Sequence, residues 1–162
     1  MSPLRLLELP TLRGVKKTLN LHFEYFLKEL GLPEQKFKMI TSWLSEIRDG
    51  GQIHFHNHTN SWFSGVLYFD DDYTDAAPLN LQNPLSNFCF FDIPSPTRWN
   101  EKNSHTIYPS PNLLVFFPSY INHQSKIHKG KTRHSLAFNY FPVGSIGMSG
   151  LDSHLNTEWL NS

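Results

Sequence analysis

The hydrophobic pattern of the chain changes character near Gly50. Before this point, apolar residues recur three and four positions apart in two stretches, which is the spacing of an amphipathic helix. The stretch at 12–32 carries Leu19, Phe23, Phe26, Leu27 and Leu30, and the stretch at 32–51 carries Phe37, Ile40, Trp43, Leu44 and Ile47. The pattern therefore predicts two helices of about fifteen residues each.

After Gly51, short aromatic and β-branched runs alternate with clusters of Asn, Asp, Pro and Gly, which is typical of strands and turns. Eight strands are predicted, over residues 52–57, 63–70, 77–82, 87–92, 105–108, 112–117, 121–128 and 132–141. Helices followed by eight short strands indicate a mainly β fold with N-terminal helices. We predict a double-stranded β-helix (jelly roll, cupin-like) with two helices packed on one sheet.

The length favours a single domain, residues 1–162, with N-terminal helices over 1–50, a jelly-roll core over 51–142 and a C-terminal tail over 143–162. Fourteen basic residues balance fourteen acidic ones, so the charge does not favour a nucleic-acid partner. The longest apolar run, LLVFFP, is too short to span a bilayer, and the first residues do not resemble a signal peptide. We expect a cytoplasmic protein without a membrane partner; its oligomeric state stays open.

Three of the nine histidines alternate along the segment HFHNH, at His54, His56 and His58. Alternate residues of a strand point to one face, so neighbouring imidazoles can converge on a metal ion. Alternating histidines more often form only the polar face of a half-exposed strand. The segment therefore predicts a metal site only if another part of the chain supplies a third ligand.

Residues 114–141 supply such a ligand, His123. The simplest hairpin loop in this segment is 129–131, a three-residue connection with a central glycine. In that register His123, Ser125, Arg133 and Ser135 share one face, and His134, Leu136, Phe138 and Tyr140 share the face that suits packing against the helices. The planar fork of Arg133 suits a carboxylate, and no acidic residue is near it in sequence, so a dicarboxylate could join the metal to the arginine.

A histidine followed ten positions later by Arg-x-Ser, on the last strands of a jelly roll, resembles the iron(II)- and 2-oxoglutarate-dependent oxygenases. More narrowly, a small bacterial and bacteriophage family of these enzymes, related to the prolyl-hydroxylase-like oxygenases, is similar over about residues 40–150. The likeness is carried by SW at 42–43, GG at 50–51, HNHTNSWFSGVLYF at 56–69, LVFFPSYINH at 114–123 and RHSLAFNYFPVGSIG at 133–147.

The resemblance implies that His123 is one ligand of Fe(II). It also implies that Arg133, with Ser135, holds the C5 carboxylate of 2-oxoglutarate. The superfamily expects His-x-Asp or His-x-Glu where this chain has His56-Asn57-His58. Three options stay open: His56 and His58 both bind, His54 and His56 bind in a shifted register, or one ligand position is empty or filled by a remote carboxylate such as Asp70. We favour His56, His58 and His123.

Two further residues are candidates for the cofactor pocket. Tyr68 could line it, and Asn139 falls on the same face as Arg133 by strand alternation. The implied function is that of a dioxygenase, a hydroxylase that couples decarboxylation of 2-oxoglutarate to oxidation of a substrate C–H bond by O2. Kinship alone suggests a peptidyl substrate, and a phage-encoded protein would act in the host cytoplasm.

Two alternatives remain open at this point. The first is a three-histidine cupin-like dioxygenase that does not use 2-oxoglutarate. The second is a jelly-roll module that binds metal without catalysis.

Overall fold

One α-helix packs against a four-stranded antiparallel sheet in the computed structural model, which describes residues 4–32, 34–85 and 103–157. Helix α1 (Arg13–Glu29) follows two short 3-10 turns, Leu6–Glu8 and Pro10–Leu12. Its buried stripe consists of Leu19, Phe23 and Leu27, so the first predicted helix is confirmed. Among the described residues, no helix has both the length and the apolar character needed to cross a bilayer.

Nine strands form three antiparallel sheets in the described part of the chain. They are β1 (Phe37–Ile47), β2 (Phe63–Tyr68), β3 (Leu79–Gln82), β4 (Ser104–Ile107), β5 (Leu113–Pro118), β6 (His123–Ser125), β7 (Arg133–Pro142), β8 (Ser145–Ile146) and β9 (Leu155–Asn156). The major sheet has the order β1-β7-β2-β5 and the minor sheet the order β4-β3-β6, while β8 pairs with β9. The chain is therefore mainly β, as the sequence predicts.

The core lies between α1 and the major sheet. Strand β7 points Leu136, Phe138 and Tyr140 into it, as its alternation predicts, and the Tyr140 ring stacks on Phe23 with 3.7 Å between ring centroids. Gly65 on β2 lies opposite Phe138. A Cβ at Gly65 would come within 2.2 Å of the Phe138 ring, so close packing of β2 on β7 requires glycine at this position.

The second predicted helix is wrong, because its apolar residues lie on β1. A bulge at Ile40 explains the misleading spacing, since the register of β1 against β7 shifts between Met39 and Thr41. Met39 belongs to the core beside α1, whereas Trp43 and Ser45 face a cavity on the other side of the sheet. The bulge exchanges the two faces of the strand and interrupts its two-residue alternation, so apolar positions fall three and four apart.

Six of the eight predicted strands coincide with β2 to β7, and the one predicted over 87–92 lies outside the described residues. The strand predicted over 52–57 is wrong. Its backbone runs beside β6 through separate hydrogen bonds, from Ser125 N–H to the Ile53 carbonyl (3.0 Å) and from His56 N–H to the His123 carbonyl (3.0 Å). Four residues of this segment, 53–56, therefore oppose the three residues of β6, so no regular ladder forms.

The predicted pairing of residues 121–128 with 132–141 in a hairpin is also wrong. Strand β6 pairs with β3 in the minor sheet, whereas β7 pairs with β1 and β2 in the major sheet. The intervening residues cross from one sheet to the other, and His128 Nε2–H donates to the Lys131 carbonyl at 2.6 Å in this crossing. His123 and Arg133 still line the same cavity, because the two sheets face each other across it.

Candidate metal centre and cosubstrate pocket

Three imidazoles converge where the minor sheet meets the segment that precedes β2. The candidate ligand atoms of His56, His58 and His123 all lie within 4.8 Å of one another. The Nε2 atoms of His56 and His58 are 3.3 Å apart, close to the separation of about 3 Å expected for adjacent imidazole ligands of one ion. A paired backbone bridge between His56 and His123 holds two of the rings side by side. This geometry fits a metal ion.

Each of the three rings has its Nδ1 atom hydrogen-bonded on the side away from the cluster. His56 Nδ1–H donates to the His54 carbonyl (2.7 Å), and His123 Nδ1–H donates to the Ile121 carbonyl (3.0 Å). His58 Nδ1–H donates to Asn139 Oδ1 (2.8 Å). A carbonyl oxygen only accepts, so the proton of the neutral ring sits on Nδ1 and Nε2 keeps its lone pair for a metal.

Burial keeps two of these rings in the neutral form that metals bind. It lowers the pKa of His58, where the Asn139 hydrogen bond opposes the shift. Burial lowers the pKa of His123 to about 4, with smaller contributions in the same direction from the charges of His56 and His58. The His56 ring is exposed and faces the solvent side of the site. At neutral pH His58 and His123 are therefore unprotonated at Nε2, as metal binding requires.

A cavity of about 190 Å³ extends from the histidines into the space between the two sheets. The polar side chains of Arg133, Ser135 and Tyr68 line it together with the three histidines. Its apolar wall includes Ile53, Val66, Leu79, Phe117 and Ala137. A narrow, largely apolar pocket with a few polar groups is the usual form of a small-molecule site.

Arg133 is buried in this cavity and forms no ion pair within the described residues. Its side chain is 3% exposed, and its Nε and Nη1 atoms have no hydrogen-bond partner among the described residues. The guanidinium lies 5.5 Å from the centre of the Tyr68 ring. Burial raises the pKa of Tyr68, and the nearby Arg133 charge opposes that shift. A buried guanidinium with unpaired N–H groups is costly, so the pocket fits an anion that accepts from both nitrogen atoms.

The other sequence candidates lie outside this arrangement. His54 is exposed, and its Nδ1 lies 3.4 Å from Gln52 Nε2, so it does not join the cluster. Asp70 accepts from the backbone N–H of His134 at 2.6 Å on another part of the surface. Within the described residues the cluster contains no carboxylate. Asn139 lies behind His58 and is not among the residues that line the cavity.

Several residues that shape the site are not predicted by the sequence pattern. Trp43 lines the cavity and meets the His58 ring edge-on, with 5.5 Å between centroids, but it lies in the region predicted as a helix. Ser64, Ser119 and Thr41 form a buried polar network behind His58. The sequence signal for this network is the polar Asn139 inside the apolar run LAFNYF, because a buried asparagine needs hydrogen-bond partners.

Solved structures with the same antiparallel architecture include oxygenases. An oxidoreductase of the 2OG-Fe(II) oxygenase family from Burkholderia pseudomallei aligns with a TM-score of 0.51 and 12% identity, over 66% of this chain and 46% of that one. The nickel complex of the non-heme monooxygenase ThoJ aligns with a TM-score of 0.51 and 11% identity, over 77% and 52%. The chain thus spans about half the length of these proteins, and at this identity the likeness shows the fold alone.

The family follows from the sequence. Residues 41–139 match the model of the family described as "Putative 2OG-Fe(II) oxygenase", which is more than half of the chain. The protein therefore belongs to this family of oxidoreductases, whose cofactor and cosubstrate are Fe(II) and 2-oxoglutarate. No curated protein matches the chain by sequence. The three histidines and the buried arginine all lie within this matched region.

Proposed function

We propose that the protein is an Fe(II)- and 2-oxoglutarate-dependent dioxygenase that hydroxylates a substrate C–H bond. One observation carries the proposal: the buried Arg133, whose Nε and Nη1 atoms have no hydrogen-bond partner among the described residues, lines the same cavity as three histidines whose ligand atoms converge. A metal alone would not satisfy the guanidinium. A cosubstrate with a metal-binding end and a distal carboxylate accounts for both features, and 2-oxoglutarate has these two ends.

In this proposal His56, His58 and His123 hold Fe(II). Arg133 binds the distal carboxylate of 2-oxoglutarate, and Ser135 and Tyr68 complete that end of the pocket with their hydroxyl groups. The bound iron and cosubstrate supply the oxidative chemistry, in which decarboxylation of 2-oxoglutarate with O2 drives oxidation of the substrate. The chain supplies position and a dry environment, since Leu79, Phe117 and Val66 keep water from the centre of the cavity.

The proposed ligand set has no carboxylate, so the site is one unit more positive than a site with two histidines and one acid. His58 occupies the position at which the superfamily pattern expects Asp or Glu. The alternative of a three-histidine dioxygenase without 2-oxoglutarate leaves Nε and Nη1 of Arg133 without a partner among the described residues, and so does a module that only binds metal. Both alternatives therefore explain less of the cavity than the proposed function does.

Several finer features belong to the same proposal. The two facing sheets are taken as the halves of a double-stranded β-helix, and residues 1–162 as a single domain. A peptidyl side chain is the proposed substrate, because the resemblance is to prolyl-hydroxylase-like enzymes and His56 lies on the exposed side of the site. The proposed location is the cytoplasm, of the host if a phage encodes the protein.

Thermal unfolding tests the proposal directly. We expect 2-oxoglutarate to raise the melting temperature when Mn(II) is present and to have little effect without it, because the cosubstrate binds partly through the metal. Saturation at a hundred times the dissociation constant stabilises the native state by about 2.7 kcal/mol. In Arg133→Met the shift caused by Mn(II) should remain and the additional shift caused by 2-oxoglutarate should disappear.

Arg48→Met is the matched control, because Arg48 is an exposed arginine that pairs with Glu46 on the surface. This variant should keep both shifts. A wild-type protein that responds to Mn(II) but not to 2-oxoglutarate would contradict the proposal and favour the three-histidine alternative. Loss of the Mn(II) shift in Arg133→Met would show that the role assigned to Arg133 is wrong.

A further inference from the structure

We infer that Asn139 is a positioning residue for the metal site, whose side-chain amide sets the tautomer of His58 and thereby presents the His58 Nε2 lone pair to the ion. The inference rests on the proposed function, because it takes His58 as a metal ligand. It replaces the expectation that Asn139 contacts the cosubstrate.

The contacts behind His58 form a closed polar network. Asn139 Oδ1 accepts from His58 Nδ1–H at 2.8 Å, and Ser64 Oγ lies 2.8 Å from that same nitrogen and 2.8 Å from Asn139 Oδ1. Ser119 Oγ continues the network, 2.8 Å from Ser64 Oγ. Asn139 is 8% exposed, Ser64 1% and Ser119 0%, so bulk water cannot replace these contacts.

The other end of the amide has its own partner. Asn139 Nδ2–H donates to Thr41 Oγ1 at 3.0 Å, and Oδ1 faces His58. An amide oxygen only accepts, so His58 must carry its proton on Nδ1. With the amide reversed, Nδ2 would donate to Nδ1. The proton would then sit on Nε2, which is 3.3 Å from His56 Nε2 and faces the ion position. The orientation of one amide thus decides whether His58 can bind a metal.

His58 differs in this respect from the other two ligands. His56 and His123 donate to backbone carbonyls, of His54 and Ile121, which no substitution removes. The His58 ring instead depends on the side chains of Ser64 on β2 and Asn139 on β7, and Asn139 lies 81 residues away in sequence. A single substitution at Asn139 can therefore allow the His58 proton to lie on either ring nitrogen. The backbone hydrogen bond from His58 N–H to the Ser119 carbonyl (3.0 Å) still holds the residue in place.

Two substitutions at Asn139 distinguish the effect of its hydrogen-bond acceptor from the effect of its side-chain shape. Asn139→Leu has a similar shape and no acceptor. Asn139→Asp keeps the acceptor and cannot donate when ionised. Metal affinity falls by roughly 10- to 100-fold when such an outer partner is removed. We therefore expect Asn139→Leu to bind Co(II) at least about tenfold more weakly than wild type, and Asn139→Asp to bind at least as tightly.

The measurements are Co(II) titration by absorption spectroscopy and long-range 1H–15N NMR of the histidine rings in the metal-free protein. The NMR spectrum should show His58 with its proton on Nδ1 in wild type and Asn139→Asp, and a mixture of tautomers in Asn139→Leu. Tyr140→Phe is the matched control, because it removes a buried 2.8 Å hydrogen bond to Asn20 from the opposite face of the same strand. It should lower the melting temperature and leave Co(II) affinity unchanged.

A His58→Ala variant distinguishes this inference from the proposed function. If it binds Co(II) as tightly as wild type, His58 is not a ligand and the proposed ligand set fails. If it binds weakly but Asn139→Leu keeps wild-type affinity and the Nδ1 proton, the positioning role is overturned. Where Asn139→Leu does not fold, Asn139→Val removes the same acceptor with a smaller side chain suited to a strand: weaker Co(II) binding supports the role, and an unchanged tautomer with unchanged affinity refutes it.

Discussion

At the scale of single residues, the metal site depends on side chains that are buried before any ligand binds. His123 is 5% exposed and Arg133 is 3% exposed. Burial favours the neutral form of the imidazole, but the guanidinium cannot lose its charge, so only an anion can compensate it. The two residues therefore affect stability in different ways. We expect His123 to make the fold sensitive to pH, and Arg133 to make it sensitive to an anion bound in the cavity.

The pKa of His123 predicts acid sensitivity of the metal-free protein. Its folded pKa of about 4 lies below the unfolded value of about 6.5, so protonation favours the unfolded chain. The stability that neutral His123 contributes to the folded state is fully present above pH 6.5 and is lost as the pH falls towards 4. We expect the free energy of unfolding, measured by urea titration in EDTA, to fall less steeply over this window in His123→Gln than in wild type. Equal slopes in the two proteins would refute the prediction.

At the scale of secondary structure, the sequence pattern predicts which face of a strand a side chain lies on better than it predicts which strands pair. Arg133 and Ser135 reach the cavity of His123 although the predicted hairpin does not exist, because alternation along β7 sets their direction whichever strand it pairs with. Strand β1 could not be predicted in this way, because the bulge at Ile40 exchanges its faces. Nor could the partner of His58, since Asn139 lies 81 residues away and only the packing of β7 beside β2 joins them.

The close approach of β2 and β7 predicts the effect of a methyl group at Gly65. In Gly65→Ala the new Cβ meets the Phe138 ring at 2.2 Å, and that ring is fully buried and cannot move aside freely. We expect a loss of about 1–3 kcal/mol in the free energy of unfolding, measured by urea titration.

Gly14→Ala on α1 is the matched control, since nothing lies within 4 Å of its Cβ position and alanine favours a helix. It should stabilise the protein by about 0.5–1 kcal/mol. A Gly65→Ala variant as stable as wild type would mean that the two strands are less tightly packed than described.

At the scale of the whole molecule, the major and minor sheets differ in the apolar contacts that stabilise them. The major sheet shares its core with α1, and within the described residues that core cluster contains no residue of β3, β4 or β6. The minor sheet instead turns Leu79 and His123 towards the cavity, opposite Val66 and Arg133 on the major sheet. We therefore expect the stability of the minor sheet to depend more on what fills the cavity than that of the major sheet, which also has the core beside α1.

This difference predicts where ligands should slow hydrogen exchange. Segments with few buried apolar contacts open at low free energy, so without ligands β3, β6 and residues 53–58 should exchange faster than α1 and β7. Mn(II) with 2-oxoglutarate links His56, His58 and His123 to Arg133 across the cavity, and should slow exchange most in those three segments. Hydrogen–deuterium exchange with mass spectrometry measures the effect segment by segment.

Arg133→Met should show protection by Mn(II) near the histidines and no further protection by 2-oxoglutarate. Uniform protection along the chain would instead mean that ligands act only through global stability, and that the minor sheet has no separate dependence on the cavity.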